Sequence, residues 1–448
     1  MSGDISEKSC CVFDPGYNIS LARRLAREFG RVDFFAGWKD SDPETLKLAI
    51  GTGFPEINRV RHFSDAISRN DIFIFPNIYH GDLQRDLINR GKRVWGSRKA
   101  ERLEYDRPFF YKTLEKVGLP VPEYHVLQGL DELEEFLQEN EGWWVKLNLR
   151  GDDETWKHET WELTEPKFRS MRQRYGPVGK FITFTLVKHI DSIIEAAYDG
   201  FMVASPTGLP QFPKIGFLGY EDKDLSHIVH AIPYDDFADP VREVNDLFAP
   251  VAASYFMRSG FGTEIKIAED EETKEQINYF LDFTARQPEP PGAIIMEQVT
   301  NLGAFFWHGS EGELIPLEIE EEFGVQIIMY AEPSRSNVVP LLYPKELDQW
   351  VKPSRCCMID GTVNILPDLL LRPRSESTAP IGSVVALGDS IEGAIDKIKG
   401  YLDEIKCSGL DAEVESLAEV LKRIQKGEEE EIPFADEVPA PEVVTNGE

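Results

Sequence analysis

Two stretches near the middle of the chain alternate so as to bring two carboxylates face to face. In residues 264–267, Ile265 and Ile267 share one side, and Glu264 and Lys266 share the other. In residues 278–284, Tyr279, Leu281 and Phe283 oppose Asn278, Asp282 and Thr284. The acidic stretch 269–275 joins them, and a hairpin centred on Thr273 sets Glu264 directly across from Asp282. Facing carboxylates repel, so such a pair belongs either to a solvated strand face or to a site with a cation between the acids. On the first reading, removing one acid relieves the repulsion. On the second, a hard divalent ion such as Mg²⁺ takes the carboxylate oxygens together with phosphate oxygens. Arg286 follows two residues beyond Thr284 and in phase with it, and a cation beside two acids suits phosphoryl transfer.

Lys146 closes the apolar run Trp143-Trp144-Val145. A lysine there either fixes phosphate oxygens as a point charge or snorkels from a strand end. The following Arg150-Gly151-Asp152-Asp153 reads as a loop able to cover phosphates, with a single glycine to do it. The eight histidines show no HExxH spacing, and there is no GxSxG. The five cysteines fall as Cys10-Cys11, Cys356-Cys357 and Cys407, an odd count without CxxC. That pattern argues against a disulfide framework and a structural zinc, and for reduced thiols in a cytoplasmic protein.

These residues need a scaffold, and the chain reads as α/β with an α+β core. The first 98 residues alternate strand and helix. Apolar residues 11–13 run into the turn Asp14-Pro15-Gly16. Asn18 can then cap a helix with Leu21, Ala22, Leu25, Ala26 and Phe29 on one face. Strands at 32–35 and 72–75, a helix through Leu83 and Leu87 to Gly91, and Val94-Trp95 complete the rhythm of an open parallel sheet. GxGxxG is missing, so no dinucleotide is assigned. Residues 99–330 read as the core, with a mobile lid at about 121–189. A helix at 108–117 stops at Gly118-Leu119-Pro120, followed by a strand (123–127), a helix (131–139), a strand (143–147), an exposed loop (149–160) and a strand (181–190). Residues 331–425 read as a small C-terminal domain, with a strand at 384–387. Its helix is capped by Ser390 and carries Ile391, Ile395, Ile398, Leu402 and Ile405 on its inner face. Residues 426–448 read as an acidic, disordered tail.

The formal charge of this 448-residue chain is −31. Residues 428–448 hold eight acids and no lysine or arginine, which leaves −23 for the rest. Such a body disfavours nucleic acid and anionic lipid as partners. No apolar run is long enough to span a membrane, and MSGDISEKSC lacks the pattern of a secretory signal, so a cytoplasmic location is expected. An acidic body that holds a triphosphate needs local cations and a divalent metal.

Laid end to end, these pieces resemble the ATP-grasp superfamily and, within it, the glycinamide ribonucleotide synthetase (phosphoribosylamine–glycine ligase) family. The likeness rests on Asp106-Arg107, Lys112 and Gly118-Leu119-Pro120-Val121-Pro122, on Val145-Lys146-Leu147 and on Val187-Lys188-His189-Ile190-Asp191. It continues through Glu195, Tyr220-Glu221-Asp222-Lys223, Asp282-Phe283-Thr284-Ala285-Arg286 and the run 381–389. The resemblance implies a carboxylate–amine ligase that uses ATP and Mg²⁺ (or Mn²⁺) and passes through an acyl phosphate. It implies that Arg107, Lys146 and Lys223 hold phosphates and that backbone groups of Lys188, His189 and Ile190 hold adenine. By the same resemblance Glu195 binds ribose, Glu264, Asp282 and Thr284 bind metal, and Arg286 stabilises developing charge. Small-molecule carboxylate and amine substrates follow. Asp282 stands where the family has glutamate, Thr284 where it has asparagine, and Asp224-Leu225-Ser226-His227-Ile228 where it has a glycine-rich segment, which points to an amine other than phosphoribosylamine. A kinase of the same fold, or a catalytically degenerate protein that binds nucleotide or a partner, are the alternatives.

Overall fold

The structure is a computed structural model that describes residues 4–37, 49–147, 155–191, 193–270, 272–289, 291–331, 337–367, 379–435 and 437–444. β1 (Ser9–Phe13), with Cys10, Cys11 and Val12 fully buried, pairs in parallel with β2 (Arg31–Phe35). Beyond β2 lies β3 (Asn58–Arg59), while β4 (Ile72–Ile74) and β5 (Arg93–Trp95) extend the other edge, giving the order β3-β2-β1-β4-β5. Helices Ile19–Leu25, Phe63–Arg69 and Gly81–Asn89 connect these strands, and the central strands are apolar because both faces are covered. Asn18 makes no side-chain cap. Its main-chain and side-chain N–H groups donate instead to the buried Asp14 (2.8 and 2.9 Å), which also accepts from Gly16 N and Asn77 Nδ2.

Helix Arg107–Val117 starts at Asp106, whose carboxylate accepts from Phe109 N at 3.2 Å. It stops at Gly118 with φ 80°, a left-handed conformation that glycine adopts without strain. The segment expected as the lid follows as β6 (Tyr124–Gln128), helix Gly129–Glu139, β7 (Trp143–Leu147), β8 (Thr155–His158), helix Trp161–Tyr175 and β9 (Thr183–Lys188). Its antiparallel sheet has the order β6-β9-β7-β8 and a core of its own that includes Leu133, Val145, Phe168 and Phe184. The expected exposed loop at 149–160 is corrected over its second half. Residues 155–158 pair with β7, with Trp156 and His158 buried and Thr155 and Lys157 outward. A buried histidine and a lone tryptophan between polar residues hide a two-residue period. The Arg150-Gly151-Asp152-Asp153 stretch lies outside the described residues.

The large antiparallel sheet opens with β10 (Ile194–Val203), β11 (Ile215–Asp222) and β12 (Ser226–Pro233). β13 (Arg258–Glu269), β14 (Gln276–Thr284) and β15 (Phe323–Ala331) continue it. After β16 (Val339–Leu341) come β17 (Val351–Pro353), β18 (Cys356–Ile359), β19 (Thr362–Ile365), β20 (Ala379–Gly388) and β21 (Leu410–Asp411). The order is β14-β13-β10-β11-β12-β15-β20-β17, with β21 on β15, while β16, β19 and β18 form a small separate sheet. The strand expected at 384–387 is thus the later part of a longer one, and through it the C-terminal segment shares a sheet with the core.

The hairpin of β13 and β14 has the register expected, with Glu264 opposite Asp282, but Ile265 faces Phe280. Leu281 is the extra residue of a β-bulge, which reverses the phase of the strand beyond it. Phe280 and Phe283 are therefore the buried residues, in place of the expected Tyr279, Leu281 and Phe283.

Ser390 caps helix Ile391–Glu404 by accepting from Gly393 N at 3.2 Å, and Ile391, Ile395 and Ile398 are buried beneath it. The final helix, Leu417–Glu429, runs past the expected start of a disordered tail. Beyond it Ile432 and Phe434 are buried, Phe434 against Tyr220 and His230. A few apolar residues docking into existing recesses order a segment whose average composition is polar and acidic. Among the described residues no helix is long and apolar enough to cross a membrane.

Candidate active site

One face of the large sheet forms the floor of a cavity of 470 Å³. Its lining includes Glu195 and Asp199 of β10, Glu221 of β11, His227 of β12, Glu264 of β13, and Asp282 and Thr284 of β14. Asp282 is the point of convergence. The Arg107 guanidinium, from the first turn of its helix, donates to Oδ1, and Lys146 Nζ, reaching across from lid strand β7, lies 3.3 Å from Oδ2. Lys146 is 7% exposed; burial and the Arg107 charge pull its ammonium down to about 7 against the pull of Glu264.

The remaining acids are set differently by their surroundings. Glu264 opens onto the cavity yet lies deep among protein atoms. That depth and the Glu195 charge raise it, with Lys146 opposing. Glu195 is held by Lys266, Nζ to Oε1 2.9 Å. Asp199 is raised to about 7 by burial and then by Glu221 and Glu264, with Arg286 opposing. For Glu221 burial acts upward, but the His227 Nε2 contact at 2.6 Å and the charges of His227, Lys223 and Arg423 outweigh it and lower the carboxyl.

Glu264, Asp282 and Thr284 offer hard oxygen donors on neighbouring strands, and Glu264, raised first by burial and then by the Glu195 charge, is a carboxyl that a divalent cation would hold ionised. Among the described residues no group of three or more His, Cys, Asp and Glu side chains is arranged to hold a metal. Two carboxylates and one hydroxyl would hold Mg²⁺ only together with phosphate oxygens, the way that ion is usually held.

The other sequence-level candidates are placed as follows. Lys223 lies in the β11–β12 turn, exposed, and its charge acts on Lys146, Glu264 and Glu221. Arg286 does not line the cavity. Its Nε donates to Glu104 Oε1 at 2.8 Å, and Glu104 also accepts from Ala285 N at 2.7 Å. This corner adjoins the N-terminal sheet, because Gln287 N donates to Pro76 O just beyond β4. Lys188, His189 and Ile190 end the lid strand. Lys188 N donates to Glu123 O and His189 N to Gly142 O, both at 2.9 Å, so these two main-chain groups serve the lid. His189 Nδ1 accepts from Trp144 Nε1 at 3.0 Å.

Asp199, His227, Arg423 and Lys426 line the cavity without having been singled out in the sequence. Asp199 was within reach, because it shares the face of Glu195 four residues along the same strand. The two cations carried no local signal; they sit on a helix more than 130 residues beyond the hairpin.

No family model matches the chain, and no curated protein matches its sequence. Solved structures do share its fold. Phosphoribosylamine–glycine ligase from Thermotoga maritima is 14% identical, with 90% of this chain and 98% of that one covered and a TM-score of 0.65. Biotin carboxylase from Campylobacter jejuni, solved as a β,γ-ATP complex, is 14% identical over 90% and 92%, with a TM-score of 0.60. The biotin carboxylase domain of 2-oxoglutarate carboxylase from Hydrogenobacter thermophilus, solved with MgADP, ADP and bicarbonate, is 11% identical over 98% and 99%, with a TM-score of 0.61. These neighbours are ATP-grasp enzymes, and the chain has the ATP-grasp fold.

Proposed function

We infer that this protein is an ATP- and Mg²⁺-dependent ligase that joins a carboxylate to an amine through an acyl phosphate. One observation carries the reading: Arg107 and Lys146, from two separate elements, meet on Asp282 directly across from Glu264. Without nucleotide the two cations neutralise the acid. A triphosphate with its metal replaces both partners together, phosphate oxygens taking the cations and the metal taking the carboxylates. When bound, Mg²⁺ supplies charge neutralisation at the phosphate oxygens.

In the reaction a carboxylate oxygen attacks the γ-phosphorus and the bond to ADP breaks, leaving an acyl phosphate. The amine nitrogen then attacks the acyl carbon, inorganic phosphate departs with the C–O bonding pair, and the amine loses its proton. The chain's contribution is positioning and charge. Lys146, Arg107 and Lys223 hold phosphates, and Arg286 turns from Glu104 towards the acyl phosphate. The lid excludes water, which would otherwise hydrolyse the intermediate.

The amine differs from phosphoribosylamine. Residues 226–228 are taken up in ladders with both β11 and β15, and Leu225 N donates to Asp222 O at 2.9 Å. That segment keeps no glycine-rich row of N–H groups for a substrate phosphate. A second reading, nucleotide binding without chemistry, is favoured by the Arg286–Glu104 pair, which holds the charge-stabilising group away from the cavity.

The test measures thermal unfolding with ATP and Mg²⁺, then ADP and phosphate release across a panel of carboxylates and amines. The ligase reading expects a higher melting temperature with MgATP and ADP release that needs both co-substrates. No shift at millimolar nucleotide, with or without metal, sinks it. A shift with no turnover supports the second reading, and turnover without an amine indicates a kinase.

A further inference from the structure

The last helix turns Leu417, Val420, Leu421 and Ile424 inward and packs on β11 and β12. Its approach is close, since a Cβ added at Gly427 would come within 2.1 Å of the Tyr220 hydroxyl oxygen. Both ends are pinned. Ser416 Oγ donates to Ser226 Oγ at 2.7 Å, Ile432 N donates to Gly427 O at 2.9 Å, and the Phe434 ring lies against Tyr220.

So held, the helix presents Arg423 and Lys426, one turn apart, to the cavity. Among the described residues they are the only lysine or arginine in a lining that also carries Glu195, Asp199, Glu221, Glu264, Asp282 and Glu289. Arg423 is anchored, with Nη1 donating to Glu221 O at 2.8 Å and Nη2 3.8 Å from Asp222. Lys426 is exposed, and among the described residues it has no carboxylate within ion-pair distance. An unpaired ammonium on a packed helix, in a cavity whose other charged side chains, Arg423 apart, are acids, is arranged for an incoming oxyanion.

With Glu195 taken as the ribose-binding acid of the ATP reading, the strand order assigns that oxyanion to the nucleotide. The helix stands on the β11–β12 side with the Glu195 end of β10, whereas the Glu104–Arg286 corner, where the N-terminal sheet meets the core, lies beyond β13 and β14. The geometry points to Lys426, steadied by Arg423, as a phosphate-binding residue for the nucleotide, on the wall of the cavity away from the metal acids. This rests on the ATP reading above.

Calorimetric titration of the full-length protein with MgATP, MgADP and adenosine tests it, using Lys426→Ala and Lys426→Arg. The loss of one charge-assisted phosphate contact is expected to weaken MgATP and MgADP about tenfold in Lys426→Ala, with adenosine unaffected and Lys426→Arg close to wild type. Lys426→Ala binding MgATP as tightly as wild type overturns the inference alone. So does an equal loss for adenosine, which would mark a packing role. A wild-type protein that binds no nucleotide overturns this inference and the ATP reading together.

Discussion

The acids and the cations of the cavity are assembled in different ways. Glu264, Asp282 and Thr284 belong to one hairpin, whose turn is tied by Asp270 accepting from Glu272 N, Thr273 N and Thr273 Oγ1 at 3.0, 2.8 and 3.0 Å. Their mutual placement follows from the register of two strands adjacent in sequence. Arg107, Lys146, Lys223, Arg423 and Lys426 come instead from a helix, a lid strand, a turn and the last helix. Arg107 and Lys146 meet Asp282, and Arg423 and Lys426 line the cavity, because elements far apart in the chain pack correctly. The acid half of the site is therefore a local device, while the cation half depends on the whole fold and is the half that distant changes disturb.

Asp282→Asn puts the largest strain on this comparison. Turnover is expected to fall at least about a hundredfold, because the residue lies where phosphate charge is handled. If the facing acids were all that mattered, the variant would be as stable as wild type or more so. Since Arg107 and Lys146 already neutralise Asp282, its removal leaves two cations partnerless and costs about 1–2 kcal/mol at this partly exposed pair. Denaturant melts and an ATPase assay read the two effects. Full activity would remove Asp282 from the site, and a stabilised variant would show that the repulsion outweighs the ion pairs.

A change that touches neither half directly sharpens the contrast. Gly427→Ala drives a methyl group into the Tyr220 hydroxyl, whose oxygen has no hydrogen-bond partner among the described residues. Overpacking there is expected to cost about 1–3 kcal/mol and to weaken MgATP binding by displacing Lys426 and Arg423. Tyr220→Phe in the same chain should restore part of both, since it removes the nearest clashing atom and leaves only the ring carbon at 2.9 Å. If the double variant is no better than the single one, the helix is not seated by that contact.

The smallest effect belongs to the lid. His158 is buried, with Nε2 on Asn140 O at 2.8 Å and Nδ1 on Thr164 Oγ1 at 2.7 Å; burial lowers its pKa from the usual 6.5, with the main-chain contact to Asn140 opposing. The folded lid therefore binds the proton less readily than the unfolded chain. Its stability is complete above about pH 6.5 and is lost as the pH falls below that value. Hydrogen exchange in β7 and β8 should quicken on acidification from pH 7 to 5.5, while the β13–β14 hairpin changes less. Equal acceleration in both would tie the lid and hairpin into one cooperative unit.

Much of this was determined by short-range physics that the sequence carries openly. A period of two and a turn of known length place Glu264 against Asp282. Ser390 and Gly118 mark helix ends because a side-chain oxygen and a left-handed glycine satisfy or release main-chain groups locally. Alternating strands and helices read as the N-terminal parallel sheet. Tertiary structure alone decided the rest. The Leu281 bulge depends on which phenylalanines the core accepts. β8 exists because Trp156 finds the lid core, and residues 426–435 are held in place because Phe434 finds Tyr220 and His230. Arg107, Lys146 and Asp282 are 39 and 136 residues apart along the chain, and nothing in the neighbourhood of any one names the others. Ion pairs of that separation form only once burial of distant apolar surface has brought helix, lid and hairpin together.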